Sequence, residues 1–399
     1  MTHTLKLKTI SLLFPSLLCL FISCNEVFSQ KKGTPEIYLD PIFKVNYSDA
    51  TADKPQSKSW TNDYGQWIVV GDEDGPKLLK KDTLGWTSQS TINQVWHNLP
   101  SRADVWAKDN DAHIVLVSEC TLNVVRITYS KEQETYKHKW KANLPIPKEC
   151  HSMETATITQ DSKGQFWVCA DMNEKIMVWH SFDGSDWSNP FALTDDINKD
   201  DISLIVHLKK QVSVIWSNQN TETINEMIHY DGDDIRNWST PIIVQKGDNN
   251  TDDHLNATVF KNGELALVTK NSVDKINQPQ FVFRFRDKKG KWTNIPYEVL
   301  TSDISLSRPI INHVQSGKIF EVHTVKNKSN KRYHLSVNQI VLKKGQWQFK
   351  ELIQLKTKIN GKNGDATSSK ASFSANQVKL IFFSDNLGNI YSFNLDNLL

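Results

Sequence analysis

The chain has 399 residues, with 47 Lys+Arg against 45 Asp+Glu for a net charge of +2, so it lacks the strong positive field used by nucleic-acid and anionic-membrane binders. Thirteen Trp, together with many Val, Ile and Thr broken by Gly, Asn and Asp, favour strands and turns, and no long stretch carries a helical period. Length alone would allow two or three domains of about 150 residues, but all-β propellers and barrels run longer as single units.

The N-terminus reads as an export signal. His3, Lys6 and Lys8 precede an apolar run over 10–22 that is too short for a comfortable membrane span. The run ends in Phe21-Ile22-Ser23-Cys24-Asn25, which resembles a bacterial lipobox, so residues 1–24 are expected to be a lipoprotein signal with Cys24 acylated. Cleavage after Gln30 is the alternative, and 25–34 then form a linker. Either way the mature protein is expected outside the cytoplasm, in the periplasm or on the cell surface, as a monomer that meets a membrane only through a lipid on Cys24. Cys120, Cys150 and Cys169 remain, an odd number that allows at most one bridge and leaves open whether they are paired or simply buried.

From residue 57 onward the tryptophans mark repeats. Trp86, Trp140, Trp187, Trp238, Trp292 and Trp347 are separated by 54, 47, 51, 54 and 55 residues, and five of them follow a turn such as Asp183-Gly184 or Lys289-Gly290. Three further strands precede each Trp, for example 154–159, 165–170 and 175–181 ahead of Trp187. Four strands in roughly 50 residues is one propeller blade. The blades are expected at 57–93, 98–147, 150–195, 200–246, 251–301, 305–356 and 362–399. The last has strands at 368–373, 378–383 and 390–393 and lacks a fourth, while Pro35-Glu36-Ile37-Tyr38-Leu39 has no blade of its own. The fold expected for 35–399 is therefore an all-β, seven-bladed propeller closed by that N-terminal strand, since closure removes exposed sheet edges. A six-bladed ring or paired sandwiches are the fallback.

In such a ring the first strand of each blade lines the central funnel, and its start meets the end of the second strand at one mouth, where ligands favour binding. The starts carry Arg102 and Asp104, His151 and Glu154, Asp200 and Asp201, Asp252-Asp253-His254-Asn256, Ser307-Arg308, and Asp365 with Lys370. Second-strand ends add Asn218, Lys270 and His323, and His97 precedes the second blade. A recurrent Asp at a strand start can serve by accepting backbone N–H groups of the neighbouring blade, the role expected for Asp104, Asp201 and Asp365. His151, His254 and Arg308 are singular departures that a repeat does not require, which makes them the better site residues. His180, His207 and His313 are expected to pack in strands. Trp60, Trp96 and Trp106 are expected in the core, with a sugar-facing role as the alternative.

No Gly-x-Ser-x-Gly, no flanked Cys nucleophile and no phosphate-cradling Gly loop is present. Imidazoles, an Arg and a Lys at one mouth suit an anionic sugar. In β-elimination from a uronate, a cation neutralises the carboxylate, a base removes the C5 proton and an acid protonates the oxygen leaving C4. Arg308 or Lys270 could do the first and His254 and His151 the others, with His97 nearby. Asn218, Arg102 and Lys370 are further substrate-binding candidates. Calcium is the metal the carboxylates could hold, through Asp253, Asp201 and Glu154.

The ordered motifs Asp200-Asp201-Ile202-Ser203, Val214-Ile215-Trp216-Ser217-Asn218-Gln219, His229-Tyr230-Asp231-Gly232, Asp252-Asp253-His254-Leu255-Asn256, Arg308-Pro309 and Thr367-Ser368-Ser369-Lys370 look like a family of secreted bacterial and fungal propellers. Over roughly 95–390 the chain resembles propeller lyases that cleave rhamnose–glucuronate linkages, and it is similar to a dehydratase class acting on ulvan oligosaccharides. That resemblance implies His, Tyr and Arg, sometimes with calcium, at the funnel, with His97, His151, His254 and Arg308 where such roles fall. A sialidase reading fits poorly, because Arg102 and Arg308 are the only funnel arginines offered where three are needed. The resemblance implies an exported carbon–oxygen lyase. A funnel closed by side chains makes a pocket that acts on chain ends, and with the export address this favours a dehydratase leaving a 4,5-unsaturated uronyl end. An exo-acting rhamnose–glucuronate lyase and a non-catalytic glycan-binding propeller are the alternatives.

Overall fold

The structure is a computed structural model that describes residues 33–399, apart from residues 49, 53, 55, 56, 248, 250, 273, 274, 360 and 363. The export segment and Cys24 lie outside the described residues. Among the described residues seven sheets follow one another along the chain, one per repeat and antiparallel within each repeat, with a short α-helix, Ser90–Val95, between the first and second and a 3-10 turn, Leu395–Leu398, at the end. The protein is a seven-bladed β-propeller.

The third blade shows why the repeat folds this way. Ala156–Gln160, Phe166–Met172, Lys175–Ser181 and Phe191–Thr194 pair in order, and the second strand, Phe-Trp-Val-Cys-Ala-Asp-Met, is buried throughout. Both faces of an inner strand meet a neighbouring blade, so its side chains need not alternate between apolar and polar. The apolar clusters accordingly sit between blades: Val115 and Val117 of the second blade pack with Ile158, Val168 and Trp179 of the third.

Closure uses the N-terminus, but through a different strand from the one expected. Glu36–Leu39 does not complete the seventh blade. It runs parallel to Gln346–Thr357 on the outer edge of the sixth, with Glu36 opposite Gln354 and Leu39 opposite Thr357. That edge belongs to the longest described strand, and Ile37 and Leu39 gain apolar neighbours on it. Phe43–Lys44 then pairs antiparallel with Asn389–Asn394 and supplies the outer strand of the last blade. The inner element of that blade also departs from the expected strand at 368–373. Thr367 bridges Phe382 of its own blade, whereas Ala371 bridges Val259 of the fifth and Phe373 bridges Val314 of the sixth. The small polar segment therefore leaves its own blade and runs along the inner strands of the fifth and sixth.

The blades are joined by a recurrent latch, in which a polar side chain on one inner strand accepts a backbone N–H from the next. Asp104 accepts from Ile158 at 2.8 Å, Thr157 from Ile205 at 2.9 Å, Asn256 from Ile311 at 3.0 Å, and Thr367 from Lys58 at 3.2 Å. Each bond satisfies a buried donor that the four-stranded ladder leaves over. Asp104 also accepts Ser57 N–H at 2.7 Å, the architectural role expected of it.

Candidate functional site

Two cavities open on the ring, one at each mouth. At the upper mouth, where inner strands begin, Tyr47, Lys54, Arg102, Glu154, Thr155 and Arg308 are among the residues enclosing a cavity of about 190 Å³. The N-terminal stretch after Phe43–Lys44 lies across this mouth. Ala50 O accepts Gly71 N–H at 3.1 Å, Thr51 N–H donates to Ser384 Oγ at 3.1 Å, and Thr51 Oγ1 donates to Asp365 O at 2.8 Å. Arg308 donates to Ala52 O at 3.3 Å and to the Asp365 carboxylate. Its backbone is left-handed, at φ 48°, where the strand register slips between Ser307 and Ile310. The slip turns the guanidinium from the sheet toward the cavity wall.

Beside this cavity lies one connected charge network. His254 is buried, and its Nδ1 is 2.7 Å from Asp252 Oδ1 and also in contact with Asp253 Oδ1. Lys270 Nζ donates to Asp252 Oδ2 at 2.8 Å, and Lys54 donates to Asp253 Oδ2. Burial pushes the Asp253 carboxyl up, but hydrogen bonds from His254 and Asp252 and the charge of Lys54 outweigh it and hold the group well below the usual carboxylate range. Two carboxylates on Nδ1 select the tautomer with the proton there, which leaves the Nε2 lone pair available. Nε2 is buried and has no hydrogen-bond partner among the described residues, and His254 does not itself line the cavity, which the network meets at Lys54.

The other expected residues divide. Arg102 joins the site: it lines the cavity and donates from Nη1 to Glu154 O at 2.9 Å. Glu154 lines it as well, its backbone held by the buried Asp171, which accepts Glu154 N–H at 2.9 Å and Thr155 N–H at 3.0 Å. His151 does not join. It is exposed on the loop tied down by the Cys120–Cys150 disulfide, with Nδ1 3.3 Å from Glu149 O. His97 is exposed in the turn after the helix and lines neither cavity. Asn218 is committed to its own turn, donating to Asp196 O at 2.6 Å and accepting Thr221 N–H at 3.1 Å. Asp201 accepts Asn198 N–H at 2.6 Å and Gln219 N–H at 3.0 Å, so its oxygens brace a turn. Lys370 lies at the other mouth, paired with Asp104 and donating to Ile158 O at 2.8 Å.

The calcium set Asp253, Asp201 and Glu154 is not brought together. Among the described residues, one group of three or more His, Cys, Asp or Glu side chains is close enough to share an ion: Asp252, Asp253 and His254, whose donor atoms lie within 4.8 Å of one another. An imidazole between two carboxylates that already carry lysine partners does not fit calcium, which takes six to eight oxygens. The geometry is that of an ion-pair network. Cys150 is in the disulfide and Cys169 is buried and unpaired, which answers the open cysteine question.

Lys54 and Tyr47 escaped the sequence reading. They fall in a stretch with no strand period and no blade, and nothing local says that it crosses the mouth. Lys54 meets Asp253 across a sequence separation of 199.

The lower mouth holds the larger cavity, about 720 Å³, bounded by the turns between first and second strands and by the crossing segment 369–374. His207 lies in its wall, tied to Asp231 at 2.9 Å, and Trp106 lines it while partly exposed. Trp60 and Trp96 are buried, as expected of core residues.

No family model matches the chain, and a search of curated proteins finds none that matches. Among solved structures it is similar to an ulvan lyase of polysaccharide lyase family PL25, with a TM-score of 0.53 and 10% identity over 88% of this chain and 96% of the lyase. The same lyase bound to -[GlcA(1-4)Rha3S]- gives the same TM-score, identity and coverage. At that identity the likeness is one of fold, and this chain shares the propeller architecture of that lyase.

Proposed function

We propose that this protein is an exported carbon–oxygen lyase that carries out β-elimination at the non-reducing-end uronic acid of polysaccharide-derived oligosaccharides of the ulvan type. The observation that carries the reading is the network Lys270–Asp252–His254–Asp253–Lys54, with a free Nε2, beside a cavity lined by three cations, Lys54, Arg102 and Arg308. The fold shared with an ulvan lyase is consistent with it.

In this reading Arg308 and Arg102 pair with the uronate carboxylate and draw electron density from C5. His254 Nε2 removes the C5 proton, and the pair left behind forms the C4–C5 double bond as the C4–O bond breaks. Tyr47, in the cavity wall, protonates the departing oxygen. Asp252 and Asp253 orient the imidazole and stabilise it once charged, and Lys270 and Lys54 hold the two carboxylates in place. The upper cavity is smaller than the ~300–1,000 Å³ usual for small-ligand sites. It suits a terminal residue with a free C4 hydroxyl, which makes water the leaving group and the enzyme a dehydratase.

Mass spectrometry of saturated ulvan oligosaccharides after incubation tests this directly. Loss of water with a new unsaturated uronyl end is the expected result. Release of a neutral sugar with the same unsaturated end would instead make the enzyme an exo-acting lyase. Unchanged oligosaccharides across a panel of uronates would sink the elimination reading and leave a glycan-binding propeller.

A further inference from the structure

The lower mouth carries a site that the elimination chemistry does not use. Its cavity is about 720 Å³, against about 190 Å³ at the upper mouth, and lies within the ~300–1,000 Å³ range of small-ligand sites. All seven blades contribute to the wall. The charges facing it from within are already matched. Lys370 is paired with the fully buried Asp104, and His207 with Asp231 at 2.9 Å. The Asp161 carboxylate accepts Lys163 N–H at 2.8 Å, Gln165 N–H at 2.9 Å and Trp167 Nε1–H at 3.1 Å. At the rim, exposed Lys108 and Lys261 are balanced by exposed Asp63 and Asp109. This lining offers no net positive charge for a phosphate, a sulfate or a uronate to answer.

What the lining does offer is a rigid aromatic surface among amides and hydroxyls. Trp106 is partly exposed, and its ring is held edge-on by Phe166 at a centroid distance of 5.5 Å. The side chains of Asn110, Gln160, Gln315, Ser369 and Ser374 surround the same space and are all partly exposed. An apolar ring face with neutral donors and acceptors around it matches a sugar, whose C–H face is apolar and whose hydroxyls need both kinds of partner. We propose that the lower cavity is a second, non-catalytic binding site for a neutral saccharide, so that the two mouths of one ring sort sugars by charge.

Saturation-transfer NMR and tryptophan-fluorescence titration of the full protein with L-rhamnose, xylobiose and cellobiose test the site independently of any elimination. Saturable binding of at least one of these is expected, weakened by about ten-fold or more in Trp106→Ala, which is about 1.4 kcal/mol. Because Trp106 also packs on Phe166, a second variant guards against misfolding. Ala371→Trp places a bulky group from an exposed position into the cavity and should weaken binding at least as much. Arg308→Ala should leave neutral-sugar binding unchanged. Failure of all three sugars to bind, survival of binding in folded Ala371→Trp, or its loss in Arg308→Ala would each overturn the proposal. None of these outcomes bears on whether the upper mouth performs elimination.

Discussion

The two mouths are built from the two ends of the same inner strands, yet they differ in how charge is handled. At the lower mouth each inward-facing charge is paired within the scaffold, Lys370 with Asp104 and His207 with Asp231, and the space between is wide. At the upper mouth Lys54 and Arg308 are paired as well, with Asp253 and Asp365, and they share a small cavity with Arg102 and Glu154, but a buried imidazole beside it is left with one nitrogen unengaged. On the functions proposed here, the difference separates a surface that recognises shape and hydroxyls from one that moves a proton.

The largest effect expected along this contrast is on chemistry at the upper mouth. His254→Gln should lower the elimination rate by about 100- to 10,000-fold, the usual worth of a general base, while the melting temperature changes little. A comparable loss of rate in Trp106→Ala would erase the distinction between the mouths. Arg308→Ala should lower kcat/KM for a uronate substrate by about 10- to 100-fold, in line with about 1.5–3 kcal/mol for a hydrogen bond to a charged group. A neutral analogue of the same substrate should show no such loss.

Stability should respond unevenly as well. The Cys120–Cys150 bridge spans a sequence separation of 30 and anchors the loop below the upper rim, so Cys120→Ser should cost about 2–4 kcal/mol in urea unfolding. Sugar binding at the lower mouth by the folded variant should persist. The smallest expected effect is on the pH profile. Burial pushes the Asp171 carboxyl from its ordinary 3.8 up to about 7, against the hydrogen bonds from Thr155 and Glu154. Between those values the folded chain holds a proton that the unfolded chain has released, so this group's contribution to stability falls as pH rises from about 4 to about 7. Asp171→Asn should flatten that decline in melting temperature. An unchanged slope would show that Asp171 does not titrate there.

Several site features were legible before any coordinates. Asp252-Asp253-His254 was marked by its place at a strand start and by an imidazole that the repeat does not need, and the fold makes it the centre of the network. Arg308 was marked on the same ground, and Arg102 by its place at a strand start. Asp104 was read as architecture and is a latch between blades. His151 at a strand start, Asn218 at a second-strand end and His97 ahead of the second blade do not join the site, because a position near the mouth of a ring can face the axis, the rim or its own turn. Residue spacing does not distinguish these directions. Lys370 is the clearest case, since its segment leaves the ladder of its own blade and delivers the ammonium to Asp104 across a separation of 266 residues.

The sequence by itself determined the seven repeats, the strand-rich architecture and the polar character of the strand starts, because turn chemistry and tryptophan spacing act within about 50 residues. The tertiary structure alone decided which N-terminal strand closes the ring, that Lys54 completes the His254 network, and that one mouth holds a narrow cavity and the other a wide one. Those outcomes rest on pairings between residues hundreds of positions apart. Their energies depend on burial and on neighbours that local sequence does not encode.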